Sequence, residues 1–332
     1  VTRADEGTGC TDEGTYVTRA DKGLNEVLPE GAKTFTVWGY KNMTYTEGTP
    51  GTYGTPQTVF PGYTVRWTEN SAATTTTNTN DWDYVNQLSS TGNVQTIKYW
   101  DWSAKAYRFF AYAANVATVP EVSSSAANVT FSFDADASNT TAINDCPYYS
   151  RLWFSDNNYD NHPTRQYGQA VRLEFLKPFV KVRFMFRFAD PSQSIVLEEK
   201  SFKPTDNNSK IHRAGKVTIT YPLTGNATRE TLTPVVEETE GIAEFIEDYE
   251  GDAKTYTETD NGWYTVLPAP DQGSYTLSVT VNGGDPKSAV VPAEFMNWLP
   301  GYEYTYIFKI TEAGGVEIDL VQAAFTEWGA TN

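Results

Sequence analysis

Trp298-Leu299-Pro300-Gly301-Tyr302-Glu303-Tyr304-Thr305-Tyr306-Ile307-Phe308-Lys309-Ile310 places an apolar side chain at every even position from 302 to 310, with Glu303, Thr305 and Lys309 among the odd ones. Successive side chains of a strand point to opposite faces, so this spacing predicts a β-strand with an aromatic stripe against a core and its other face mostly in water. Gly314-Gly315 then supplies a tight reversal, and Val316, Ile318 and Leu320 resume the alternation on the way to Phe325 and Trp328. The chain is predicted to end on a β-hairpin.

A second ladder lies upstream. Val171, Leu173 and Phe175 alternate before Lys177-Pro178, and Val180, Val182, Phe184, Phe186 and Phe188 follow against Lys181, Arg183 and Arg187. Burying each such side chain contributes roughly 1.5–3 kcal/mol before entropy is counted, so the two ladders are the expected heart of a second domain. Strands are also predicted over residues 34–40, 59–67, 128–133, 215–221, 262–267, 275–281 and 288–295, the second of them broken by Pro61-Gly62. Residues 94–102 and 106–114 read as a hairpin, and residues 81–88 as a short helix. Many short strands bounded by Gly, Pro, Asn and Asp point to antiparallel sandwiches rather than a parallel α/β sheet.

With 332 residues the chain is long enough for two domains. Residues 155–168 are rich in Asn, Asp, Pro, Gly and Gln and mark the boundary. The expected division is a polar N-terminal arm over residues 1–30, a first β-sandwich over 31–168 and a second over 169–332. The Thr and Asn tract at 71–80 reads as a loop, and the acidic run at 237–252 as a solvated face. The arm holds Val1-Thr2-Arg3-Ala4-Asp5 and a near copy, Val17-Thr18-Arg19-Ala20-Asp21, so Arg3 and Arg19 are open to a trypsin-like protease; a chance duplication is the alternative.

A formal charge of −17 argues against a nucleic-acid partner and against an anionic membrane surface, because such binding draws its affinity from Lys and Arg. No run approaches the roughly 18 apolar residues of a membrane span. The N-terminus has no signal-peptide pattern, so the chain is expected to be either cytosolic or exported with its leader removed. Cys10 and Cys146 are the only cysteines. Paired, they would close a long loop worth about 4–5 kcal/mol in the chain-entropy account; two free thiols fit the count equally well.

Residue types give catalysis little support. His162 and His212 stand apart from any triad or metal pattern, no phosphate-binding glycine loop precedes a helix, and no cofactor or metal site is expected. Asp81 with Asp83, and Asp134 with Asp136, do not continue into a calcium loop. Two carboxylates across a cleft would suffice for a glycosidase, and their separation cannot be read from spacing in an all-β chain. Trp82, Trp100, Trp102 and Trp153 are candidates for sugar stacking, with core packing as the competing role of each.

Four segments taken in order resemble the fimbrillin-like fimbrial subunits of Bacteroidetes. They are Tyr99-Trp100 with Tyr107-Arg108-Phe109-Phe110-Ala111-Tyr112-Ala113; residues 145–149; Val171-Arg172-Leu173-Glu174-Phe175 through Val180-Lys181-Val182-Arg183-Phe184; and residues 264–268 with Trp298-Leu299-Pro300-Gly301-Tyr302, Tyr304 and Tyr306, closing at Trp328. The chain departs from the family at Lys177-Pro178, where a histidine or arginine is common. The resemblance implies an all-β chain of two tandem transthyretin-like (Greek-key) sandwiches with little helix. It also implies export as a lipoprotein precursor and assembly into fimbriae at the outer membrane. In that family a protease cuts after an N-terminal arginine, the first strand leaves, and a neighbouring subunit donates a strand to the vacated groove. Carried onto this chain, Arg19 is the first cleavage candidate and Arg3 the second, and Cys10 does not look like the lipidation site. The resemblance thus implies fimbrial partners joined by β-strand addition, and ligands on host or bacterial surfaces. Val316, Ile318, Leu320 and Phe325 form either a donor strand or a terminal core strand. A surface glycan-binding lipoprotein is the alternative reading, and a glycosidase the third.

Overall fold

The computed structural model describes residues 24–28, 33–48, 51–68, 82–89, 92–135, 147–156, 170–188, 194–197, 203–204, 214–225, 235–238, 249–252, 257–258, 264–269, 275–280, 282–311, 316–324 and 329–331. The chain is all-β: among these residues the helical elements are Leu24–Val27 and one 3-10 turn, Ala293–Phe295.

Ala106–Ala113, with the sequence AYRFFAYA, lies inside the largest sheet and is buried on both faces over nearly its whole length. A strand covered on both sides carries large side chains at odd and even positions alike, which is why this segment is a run rather than an alternation. Thr34–Asn42 pairs antiparallel with one side of it and, beyond, with Pro56–Trp67 and then Trp82–Asp83. Tyr148–Ser150 and Trp153–Asp156 take its other side, and Glu174–Leu176 and Gly329–Thr331 extend the sheet outward. Pro61-Gly62 does not break its strand. Pairing steps from Val37 opposite Tyr63 to Trp38 opposite Pro61, leaving Gly62 as an extra residue at φ 76°. Glycine supplies that left-handed backbone without a Cβ clash, so the irregularity is absorbed as a bulge.

Glu121–Ser124, Asn128–Ala135, Gly215–Pro222 and Val235–Glu238 form a second, antiparallel sheet. It packs face to face with the first: Tyr40, Phe110, Tyr149 and Leu176 of one meet Phe131, Phe133, Ile219 and Tyr221 of the other in a single cluster. Phe110 stacks on Tyr221 with centroids 4.1 Å apart, and Phe131 stands at an angle to both. The opposite face of the large sheet has its own core, where Phe35, Val37, Phe109 and Phe175 pack with Trp82, Trp153 and Leu24 of the short helix. Gly215–Pro222 follows the expected boundary at residue 168 and Asn128–Ala135 precedes it, so strands from both sides of that point share a sheet.

One end of this sandwich is tied by a buried cation. The Arg108 guanidinium donates to Asn42 Oδ1 and, at 2.5 Å, to the Gly225 carbonyl, and lies over the rings of Tyr53 and Phe154. Asn42 Nδ2 in turn donates to the Gly54 and Leu223 carbonyls at 2.8 and 3.2 Å. The central strand of one sheet is thereby bonded to the loop that leaves the other.

The two aromatic ladders lie side by side in a further sheet. Val180–Phe188 runs parallel to Glu303–Ile310, which pairs antiparallel with Val316–Ala324; Tyr264–Val266 and Thr257–Glu258 take the far side of Val180–Phe188. The parallel pair corrects the expectation of purely antiparallel pairing. More than a hundred residues separate the ladders in sequence, so no tight turn dictates their relative direction. The odd face of Glu303–Ile310 is also not in water: Glu303, Thr305 and Ile307 are buried. In-register neighbours satisfy it, with Lys181 Nζ 3.5 Å from Glu303 and the Arg183 guanidinium 3.4 Å from Thr305 Oγ1. The stripe of tyrosines folds back on its own leader. Trp298 Nε1 donates to Tyr306 Oη at 2.6 Å, Tyr306 to the Phe295 carbonyl, and Tyr304 to the Asn297 carbonyl at 2.7 Å.

Two further expectations fail between residues 81 and 114. No helix forms in 82–88; Trp82–Asp83 is a strand, Asp83 Oδ1 accepts from the Val85 amide at 3.0 Å, and Asn86 sits at φ 61°. Short polar side chains that bond their own backbone favour turns over helix there. Residues 94–102 do not pair with Ala106–Ala113, both of whose edges are taken. They bond back to 84–89 instead, through the Leu88–Val94 bridge and buried Gln95, whose amide holds Thr64 and the Tyr84 carbonyl at 2.6–2.7 Å.

Candidate functional site

Two features of this fold have the form of interaction sites, the ends of its sheets and one braced loop. Val316–Ala324 is the outer strand of its sheet: among the described residues its ladder partner is Glu303–Ile310, on one side only. Gly329–Thr331 is likewise the outer strand of the eight-stranded sheet, carried by Glu174–Leu176. Among the described residues the last strands of the chain thus lie at the ends of two sheets, and Lys287–Val291 lies close beside Val316–Ala324 without a ladder between them.

Val316, Ile318 and Leu320 fall on this outer strand, opposite Ile310, Phe308 and Ile307. Phe325 and Gly314-Gly315 lie outside the described residues, as do Arg3, Arg19, Cys10, Cys146, His162, His212, Asp81 and Asp136. Among the described residues no three His, Cys, Asp or Glu side chains gather as a metal site, and no helix is long and apolar enough to cross a membrane.

The four tryptophans proposed for sugar stacking separate. Trp82 and Trp153 are core residues, and Trp100 packs edge-on against Tyr107 with centroids 4.8 Å apart. Trp102 is 57% exposed, and its neighbour Tyr99 is 79% exposed. The loop that carries both is fixed closely. The Lys98 amide donates to Tyr84 Oη at 2.9 Å, the Asp101 amide to Tyr107 Oη at 2.7 Å, and the Ala104 amide to the Asp101 carbonyl at 3.1 Å. Asp101 Oδ2 is 2.6 Å from Lys41 Nζ, and Oδ1 accepts from the Ser103 hydroxyl and amide at 2.6 and 3.0 Å. Those donors, Lys41 first, pull the Asp101 carboxyl down to about 2. Tyr99 is not one of the stacking candidates, and no sequence signal singles it out, since only the packing of Trp100 against Tyr107, Phe109 and Trp153 separates it from its exposed neighbours.

No family model and no curated protein matches this chain. Solved structures do. A fimbrial protein from Bacteroides vulgatus is 13% identical over 92% of this chain and 98% of its own, with a TM-score of 0.44. The tip fimbrial protein Mfa3 from Porphyromonas gingivalis, with a C-terminal truncation, is 8% identical over 91% of this chain and 96% of its own, with a TM-score of 0.34. Superpositions this loose assign no role to any residue.

Proposed function

We propose that this chain is a structural and adhesive subunit of cell-surface fimbriae, exported and joined to neighbouring subunits by β-strand addition. The observation that carries the reading is the placement of Val316–Ala324 at a sheet edge, bonded, among the described residues, through one ladder only. Such a strand gives up one row of hydrogen bonds when it leaves, and an equivalent sheet edge in another subunit restores them, while its apolar side chains refill matching pockets. Proteolysis at Arg19, with Arg3 as the second site, is the proposed trigger. The reading assigns no catalysis to the chain.

Limited trypsin treatment of the purified chain tests it by size-exclusion chromatography. Cleavage at Arg19 is expected to convert monomer to oligomers, and Arg19→Ala to prevent this; a chain that stays monomeric after clean cleavage there refutes the mechanism. Deleting residues 316–332 separates the two roles of the last strand. A folded monomer that cannot join others identifies a donor, and an unfolded product identifies an element needed by its own core.

A further inference from the structure

We propose that Tyr99 and Trp102 form a stacking platform for a neutral glycan, with the cluster of Asp101, Lys41 and Ser103 at the same loop as its hydrogen-bonding centre. This names a ligand class for the adhesive role proposed above and rests on that reading for its cell-surface setting, whereas the binding itself does not require subunit assembly.

Burial separates three neighbouring aromatics. Trp100 is held against Tyr107, Phe109 and Trp153, while Tyr99 and Trp102, on either side of it, are 79% and 57% exposed. A segment free to rearrange would tend to turn such rings toward apolar surface, since each ring buries a large area. This one is pinned immediately before Tyr99, where the Lys98 amide meets Tyr84 Oη, and again at Asp101, whose amide and carbonyl are both bonded. The outward rings are therefore presented by a rigid turn, and their ordering cost is met during folding rather than on binding.

Chemistry selects the ligand. An exposed aromatic face matches the apolar face of a pyranose ring, whose hydroxyls then point sideways toward donors and acceptors. Asp101 supplies a fixed, ionised acceptor: an ionised carboxylate has about four lone-pair sites, and the bonds to Ser103 and Lys41 take three. The Ser103 hydroxyl and the Lys41 ammonium stand beside it. A net charge of −17 opposes polyanions such as nucleic acid or sulfated polymers, so among glycans the uncharged ones fit better than the sulfated ones.

Affinity gel electrophoresis of the uncleaved full-length monomer, in gels containing a soluble β-glucan, a mannan, a galactan or dextran sulfate, tests the assignment. Retardation by at least one neutral polymer is expected, with affinity falling about tenfold or more in Trp102→Ala and in Tyr99→Ala and largely kept in Trp102→Phe. Both positions are exposed, so unchanged far-ultraviolet circular dichroism and melting temperature are expected to show that the variants fold. No retardation by any neutral polymer, retardation that survives the double alanine variant, or retardation by dextran sulfate alone overturns the proposal. So does loss of oligomer formation after trypsin treatment in Trp102→Ala without any glycan binding, which would assign the rings to a protein contact. Failure of oligomerisation with glycan binding intact would instead remove strand addition and leave the platform standing.

Discussion

Gly39 shows how one side chain, or its absence, sets a packing distance. A Cβ built there would meet ring carbons of Phe109 and Phe60 at 2.6 Å, and both rings are packed among others. Gly39→Ala is expected to cost about 1–3 kcal/mol by forcing those rings from their positions, read from the denaturant midpoint at unchanged slope; a neutral variant would show that the sheet yields there. Tyr304 carries a second expectation. Burial pushes its phenol up to about 12, against the pull of the Leu299 amide, and burial likewise raises Tyr306, Tyr149 and Tyr221. A folded-state value above the ordinary 10 means that the stability is fully present below pH 10 and is lost as pH rises from 10 toward 12. The loss is roughly 1.4 kcal/mol for each pH unit crossed, and Tyr304→Phe should remove that part of the slope in equilibrium unfolding between pH 9 and 12. An identical pH profile in the variant contradicts it.

Strands differ in how many neighbours hold them, and exchange should report it. Glu303–Ile310 is bonded on both sides, to Val180–Phe188 and to Val316–Ala324, whereas the latter is bonded on one among the described residues. Amide hydrogen exchange is expected to be slower by at least an order of magnitude in the inner strand, because an edge can open without disrupting the rest of its sheet. Equal protection would mean that the outer strand opens only with the whole, and would weaken its candidacy as a donor. Much at this scale was legible beforehand. Val180, Val182, Phe184 and Phe186 are buried, with half-buried Lys181, Arg183 and Met185 between them, as the alternation predicts, since a period of two follows directly from backbone geometry. Tyr304, Tyr306, Phe308 and Ile310 are buried as expected, although Glu303, Thr305 and Ile307 are buried as well. The segment around Gln95 was not, because its aromatics fit a strand equally well, and only the occupied edges of Ala106–Ala113 excluded it from the sheet.

Across the whole molecule, the pairing of Gly215–Pro222 with Asn128–Ala135 joins residues on either side of 168 in one sandwich. Residues 1–168 expressed alone are therefore expected to lack half of a sheet, expose Phe131 and Phe133, and fail to give a cooperative melt or a monomeric elution profile. A fragment that folds by itself would show that the first half closes its own core without Gly215–Pro222. The sequence by itself determined that the chain is β-rich, where most strands run, which of their faces are apolar, and that polyanions are poor partners; these depend on local periodicity and on charge, which need no knowledge of neighbours. Only the tertiary structure decided that the two aromatic ladders lie parallel, that Glu303 and Thr305 are covered by Lys181 and Arg183, and that Trp100 turns inward while Tyr99 and Trp102 turn out. Each of those depends on contacts between residues far apart in the chain, and alternation specifies a strand's faces without specifying what packs against them.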